Sequence, residues 1–292
     1  MVYLTWAGVN SSAREVISFI MEALLVKLTA VIYLVAAASY FYFVFRKDTS
    51  SKLPALTLLA GFLLHTAALI GRFIEEGFAA VALIGEALLF KSWLMVGLYL
   101  LIQLKYRLTV LGGIVAPLAF LMCLAAFAFG RTGGEIPPGL ESVWLPVHVT
   151  LAFLGNAVFA LAFGVSLIYL LQERHLKHKK MTKLMQRFPS LESLDRLNYV
   201  LLVWGFPLMT LGILTGSIWA GIHWGTYWSW EPRQISSGIA WLFYGAILHG
   251  RITAGLRGKK VALLTMVGFC VVLGYFLWGD AMFPSRHGGR FE

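Results

Sequence analysis

The chain predicts an all-α polytopic membrane protein of about eight transmembrane helices with both termini outside the cytoplasm, and three observations carry that expectation. Hydrophobic residues fill 59% of the 292 positions and charged ones 13%, giving a mean hydropathy of +0.77. Several stretches reach the roughly 20 apolar residues that a bilayer core demands of a helix. Lys and Arg, finally, gather in alternate loops. The polar segments are too short for a soluble domain, so residues 1–292 read as a single integral membrane domain with its core at about 60–280.

Taken in order, the apolar runs predict helices over 24–45, 53–71, 79–103, 108–129, 148–171, 199–221, 235–250 and 261–278. Segment 1–23 is weakly amphipathic and has no basic stretch followed by a small-residue cleavage site, so a signal peptide is not expected there. Of the 24 Lys and Arg residues, sixteen fall in the loops of one side, seven of them between 172 and 198. Six fall on the other side, at Arg14, Arg72, Arg131, Arg233, Arg286 and Arg290, while Lys27 and Lys91 lie inside spans. Basic loops stay in the cytoplasm. Both termini and the tryptophan-rich loop 219–236 are therefore expected outside it. The same bias accounts for the net charge of +10, with the 172–198 loop suited to anionic membrane lipid. No nucleic acid partner is called for.

The run WAGIHWGTYWSWEPR, residues 219–233, places four of the ten tryptophans in fifteen residues. Trp219, Trp224, Tyr227, Trp228 and Trp230 suggest a flat aromatic shelf, with Gly225 letting backbone approach closely and Glu231 and Arg233 as a charged rim. Such a surface suits a large planar ligand with acidic substituents, of which haem is the obvious case; the plainer alternative is an interfacial aromatic belt. Cys123 and Cys270 lie far apart in apolar surroundings and read as small hydrophobes. Without a C-x-x-C-H motif the chain does not attach haem to itself, so any haem is held by coordination.

Topology sorts the seven histidines. His175 and His178 sit in the basic loop and read as solvated. His148, at the mouth of helix five, and His287, in the tail, share a side with the tryptophan run, as a bis-imidazole pair clamping one iron requires. His249 lies near the cytoplasmic end of helix seven, whereas His65 sits on helix two about 12 residues, or roughly 18 Å, deeper. An intramembrane ionisable group points to function, so His249 is read as ligand to a second, inner haem whose other ligand comes from another helix or another protein. His65 is assigned to packing or a hydrogen bond within the bundle, and His223 to an interfacial polar role.

The run WGTYWSWEPRQISSGIAWLFYGAILHGR resembles the tryptophan-rich WWD signature of the cytochrome c assembly family, in its eight-helix CcsA/ResC branch. GRFIEEGFAAVALIGEALLFKSW is similar to that branch's R-W-x-x-x-G-H-x-P-x-x-N-x-Y-E-S-L-x-F-x-S-W segment, and LPVHVTLAFLGNAVFALAFGVSLIYLL to its helix that opens with a haem-ligating His. The likeness runs from about residue 60 onward. It implies a multi-pass protein of a bacterial plasma (inner) membrane or a thylakoid-type membrane that handles non-covalent haem b. It also implies outer iron ligands at His148 and His287 and an inner ligand at His249. A CcsB/ResB-type membrane partner would supply the second inner ligand, and apocytochrome c would receive haem at its C-x-x-C-H thiols. The chain departs from the family pattern at Trp230-Glu231-Pro232-Arg233-Gln234-Ile235-Ser236, and carries Ala80 and Leu83 in place of the Pro and Asn while keeping Glu86.

The function so implied is that of the haem-handling, haem-lyase subunit of a cytochrome c synthase. No acid–base dyad or activated nucleophile is visible in the sequence, and none is needed if the substrate brings the thiols. Catalysis would then rest on positioning. The alternatives are a haem transporter or chaperone without synthase activity and a dihaem electron-transfer subunit. The charge bias is directly testable: reporter fusions after Lys180 and Lys260 are expected to read cytoplasmic, and fusions near Gly139 and at the C-terminus external. A cytoplasmic C-terminal fusion would separate His287 from His148.

Overall fold

The computed structural model describes residues 3–46, 52–77, 84–106, 108–129, 142–178 and 188–282. Eight helices follow one another among them: α1 (Tyr3–Arg46), α2 (Leu53–Glu76), α3 (Ile84–Tyr106), α4 (Thr109–Phe129), α5 (Trp144–Lys177), α6 (Leu191–Trp224), α7 (Pro232–Thr253) and α8 (Lys259–Met282). Among the described residues six of these, α1 to α6, are long and apolar enough to cross a bilayer. The other two are helical and packed against the rest, though α7 carries Arg233, Gln234, Ser236, Ser237 and Arg251 among its apolar residues.

Each apolar run became a helix, but several helices run beyond their apolar cores. α1 absorbs most of the segment expected to stand apart as 1–23, and α5 and α6 reach 34 residues each. Polar turns extend them: Lys177 pairs with Glu173 one turn earlier (2.7 Å), and Ser190 caps α6 by accepting from Ser193 N (3.2 Å). A count of apolar residues sees only the bilayer-thick core of such a helix. Residues 79–83, expected to open helix three, lie outside the described residues.

Two four-helix groups make up the bundle. α1 packs on α2 and α4, and α3 on both of these; in the same way α5 packs on α6 and α8, and α7 on both of these. The groups join where α3 and α4 meet α5. The most extensive contact is the antiparallel seam of α5 and α6. Lipid tails are as apolar as Leu, so helices in a membrane associate through close packing at small residues. Phe159 lies over Gly205, where an added Cβ would come within 2.8 Å of its ring. Gly155 faces the Met209 backbone, and Gly212 faces Ala152, each at 3.2 Å or less from such a Cβ. One register step further, Gly216 lies beneath the ring of His148.

The two groups repeat one packing motif. Gly61-Phe62 and Thr66 on α2 match Gly205-Phe206 and Thr210 on α6, in the segments GFLLHT and GFPLMT; Trp93 and Gly97 on α3 match Trp241 and Gly245 on α7. In each group the Trp indole donates to the Thr hydroxyl at 2.8 Å and stacks on the Phe, at 5.5 Å in the first and 5.4 Å in the second. The Phe in turn covers the Gly of the Trp helix, and the Gly ahead of the Phe receives a ring, Tyr33 or Phe159, from the preceding helix. With four helices per unit, both copies run the same way through the bundle.

At the far end from His148, Arg251 on α7 grips Asp195 on α6 through both guanidinium nitrogens (3.0 and 2.6 Å) and stacks over Tyr199 (4.5 Å). Gly258 N also donates to Asp195 (2.8 Å), tying the start of α8 to the same carboxylate. Gly205→Val is expected to force Phe159 out of its seat and cost about 1–3 kcal/mol, read as a lower melting temperature in detergent. Adding Phe159→Ala to that variant should cost less than the two substitutions summed. Strict additivity would mean that the ring and the glycine do not meet.

Candidate functional site

Both α5 and α7 begin, and α6 ends, at the same end of the bundle, and this brings His148 to the tryptophan-rich loop. His148 stands in the second turn of α5, half-buried, with Nδ1 2.8 Å from the carbonyl of Gly212. A carbonyl only accepts, so Nδ1 carries the proton and the neutral imidazole keeps its lone pair on Nε2. Side-chain space for the ring comes from Gly216, whose Cβ would sit 2.5 Å from Cε1. The helix pair thus fixes ring position and tautomer together.

Gly225 ends α6 in the left-handed conformation (φ +73°), which costs a glycine nothing. Tyr227 then folds back over Gly221, and Trp228 lies against Gly238 of α7. Trp230 is the one non-glycine residue with positive φ (57°) among the described residues, and its side chain is 74% exposed. Conformations of that kind cluster at functional sites. Gln234 holds the loop shut by accepting from Ser229 N (2.8 Å) and Ser229 Oγ (3.2 Å).

The aromatic side chains do not form one flat shelf. Trp228 and Trp230 stand at 87°, and Trp219 and Trp224 at 75°, so the rings meet edge to face and build corners. Trp219 is buried against Leu145 and Ala220, bracing α6 on α5. Glu231 is likewise no rim residue: it is 8% exposed at the start of α7, where a carboxylate favours the helix dipole. Arg233, two residues on, is half-buried in the first turn of α7. Lys91 extends its ammonium over the ring of Phe153 on α5, 4.4 Å from the centroid.

The other histidines are dispersed. His287 lies outside the described residues. His249 is exposed on α7, toward the Arg251 end. His65 is fully buried, with Nδ1 3.1 Å from the Tyr33 hydroxyl, which is the packing role expected of it. His223 is exposed beside Trp219, ring to ring at 5.2 Å. His175 Nδ1 turns back on the Leu171 carbonyl (2.7 Å), and His178 is exposed. Cys123 is buried within 3.9 Å of Ser92 Oγ, whereas Cys270, expected to be embedded, is exposed on α8. Among the described residues no group of three or more His, Cys, Asp or Glu could hold a metal ion by itself.

A family model described as cytochrome c assembly protein matches residues 81–279, from α3 through the tryptophan loop to α8. The chain belongs to the cytochrome c assembly family. It is 34% identical to the cytochrome c biogenesis protein CcsA of Chlamydomonas reinhardtii, over 80% of this chain and 68% of the relative. The CcsA of Prochlorococcus marinus (strain AS9601) is 32% identical over 80% and 83%, and that of Guillardia theta 33% over 69% and 73%.

Sequence reasoning singled out His148, Arg233 and the loop but passed over the glycines beneath the imidazole and gave Lys91 no role. Lys91 counted only as a lysine inside a span, although an intramembrane charge is itself a signal. The Gln234 clasp gives a direct test. Gln234→Leu is expected to raise chymotryptic cleavage after Tyr227, Trp228 or Trp230 about tenfold, the effect of losing roughly one hydrogen bond from a local opening equilibrium, while Gln234→Glu, which still accepts, keeps the rate near wild type. Equal protection in Gln234→Leu would show that the loop is held by something else.

Proposed function

We propose that the His148 end of the bundle is an extracytoplasmic haem seat from which haem is presented to apocytochrome c. Membership of a family of cytochrome c assembly proteins gives the broad role, c-type cytochrome maturation. The observation that carries the finer reading is the state of His148. Ligating histidines as a rule donate their second ring N–H to a carbonyl or carboxylate, which fixes the tautomer and raises the basicity of the free nitrogen. His148 does this toward Gly212, which leaves Nε2 as the nitrogen to bind iron.

The surrounding residues fit a non-covalent haem b as cargo. Trp228 and Trp230 offer a corner for a planar ring, and Arg233, with its planar fork, suits a carboxylate. Haem supplies the vinyl carbons to which the thiols of a C-x-x-C-H motif add. The chain's part is to hold the iron at a set position, keep the macrocycle in one orientation and leave an edge open to the incoming peptide. His287 is the proposed opposite ligand. His249, exposed on α7, is proposed to ligate an inner haem together with a residue of a CcsB/ResB-type membrane partner. The exposure supports this, because a ligand shared between chains has to lie on the surface.

His148→Gly is expected to convert a low-spin haem spectrum to a high-spin or five-coordinate one, and free imidazole, small enough to enter the vacated space, to restore both the spectrum and cytochrome c maturation in part. Trp228→Ala removes a contact surface that imidazole cannot replace, so no rescue is expected. A His148→Gly protein with an unchanged spectrum would place the iron elsewhere. Whether the chain promotes thioether formation or only delivers haem is decided by co-expression with the partner and an apocytochrome, followed by haem staining on a denaturing gel. Covalently stained cytochrome that depends on this chain, when free haem is supplied externally in excess, supports the synthase role.

A further inference from the structure

Four contacts fix how α5 and α6 lie against each other. His148 meets Gly216, Ala152 meets Gly212, Gly155 meets the Met209 backbone and Phe159 meets Gly205, so each step along α5 is matched by an equal step back along α6. Seven residues beyond Phe159 and Gly205, close to two turns and hence on the same faces, Ser166 stands opposite Asn198. A third polar residue comes from α8: Thr265 Oγ1 accepts from Asn198 Nδ2 at 3.3 Å. The rings of Phe163 and Phe269, 5.3 Å between centroids, hold α5 on α8 about one turn away from Ser166 and Thr265. Ser166 and Thr265 have no exposed surface, and Asn198 is 3% exposed.

The side chains alone do not complete the hydrogen bonding at this place. Ser166 Oγ and Asn198 Oδ1 bond no protein group, and a buried polar atom left so is costly. Ser39, Thr29 and Thr210 return their hydroxyls to a carbonyl of their own helix; Ser166 does not. Reversing the Asn198 amide would only exchange an unmet oxygen for an unmet nitrogen.

The first helix group shows how a longer side chain closes the same place. Its register pairs Tyr33 with Gly61 and, eleven residues off, Glu22 with Arg72. Tyr40 stands seven residues after Tyr33, as Ser166 does after Phe159, and its hydroxyl accepts from Tyr99 at 3.2 Å. Serine is too short to reach across in this way. The ligand that answers Ser166 and Asn198 together is small, neutral, and both donor and acceptor. A cation is disfavoured, because the Asn198 N–H lies in the cluster, the three side chains carry no negative charge and Arg251 stacks over the adjacent Tyr199.

We infer that Ser166, Asn198 and Thr265 form a binding site for one buried water molecule, which donates to Asn198 Oδ1, bonds Ser166 Oγ and accepts the Thr265 hydroxyl proton. Three polar partners are usual for such a water. The water ties α5 to α6 and α8 inside the bundle, at the end of the seam remote from His148. The inference is independent of the haem reading.

The test is an experimental map of the full-length protein at a resolution that shows ordered water, together with melting temperatures in detergent. The expected map has one peak within hydrogen-bond distance of both Ser166 Oγ and the Asn198 amide. Ser166→Ala, which removes one of its partners, is expected to melt about 2–4 °C lower, the size of one hydrogen bond in a chain of this length. A map without that peak, or with Ser166 Oγ bonded directly to the Asn198 amide, overturns the inference. So does an unchanged or raised melting temperature in Ser166→Ala, because removing an unsatisfied hydroxyl from a dry site costs nothing. A wild-type melting temperature raised by sodium or potassium chloride, but not by choline chloride, also overturns it and assigns the site to a cation.

Discussion

Everything at the His148 end depends on how closely α5 and α6 approach each other. In a bilayer no hydrophobic force pulls two apolar helices together, so the gain comes from dispersion contacts that small residues permit. Gly155, Gly205, Gly212 and Gly216 lie along one antiparallel seam, and each receives a group from the facing helix. At three of these steps the received group is apolar or backbone; at the last it is an imidazole. The same close approach that stabilises the helix pair brings the Gly212 carbonyl within hydrogen-bond range of His148. Stability and ring orientation share one cause.

The duplicated motif gives this seam a context. Both four-helix groups use a Trp indole on a Thr hydroxyl, a stacked Phe and a glycine beneath it to join their second and third helices. At the position where the second group holds His148 over Gly216, the first holds Glu22 against Arg72. An ion pair buried among three helices closes one cradle; an imidazole held on a backbone carbonyl occupies the other. The join between the groups, where α3 meets α5, brings the Lys91 ammonium of one over Phe153 of the other. The Asp195–Arg251 clasp at the opposite end holds α6, α7 and the start of α8 together, so the loop before α7 begins from a fixed helix.

The all-helical class and the eight segments were legible because twenty apolar residues in a row admit few alternatives. Helix ends were not, since Lys177 and Glu173 or the Ser190 cap continue a helix for reasons that hydropathy ignores. His148 was expected at the mouth of helix five, at the same end as the tryptophan run, and stands there, and His65 was placed correctly in the bundle. The shape of the tryptophan loop could not: whether Trp228 and Trp230 lie flat or at right angles depends on the positive φ at Trp230 and on Gln234, neither of which a count of aromatics reveals. Glu231 looked like a rim charge in the sequence and is buried, because Pro232 starts α7 immediately after it and turns it inward. The repeat was present in the sequence as GFLLHT and GFPLMT, but only the shared packing of Phe62 and Phe206 makes so short a likeness meaningful.

The central claim is that the α5–α6 seam positions the imidazole proposed to bind iron. The most direct measurement is the visible absorption spectrum of the haem complex of Gly216→Val, compared with that of wild type in the same detergent. The added side chain must displace the His148 ring, whose Cε1 would lie 2.5 Å from the new Cβ. Loss of the low-spin spectrum, in a protein that still elutes as a single folded species and regains the spectrum with free imidazole, is the predicted result. A wild-type spectrum from folded Gly216→Val protein would contradict the account.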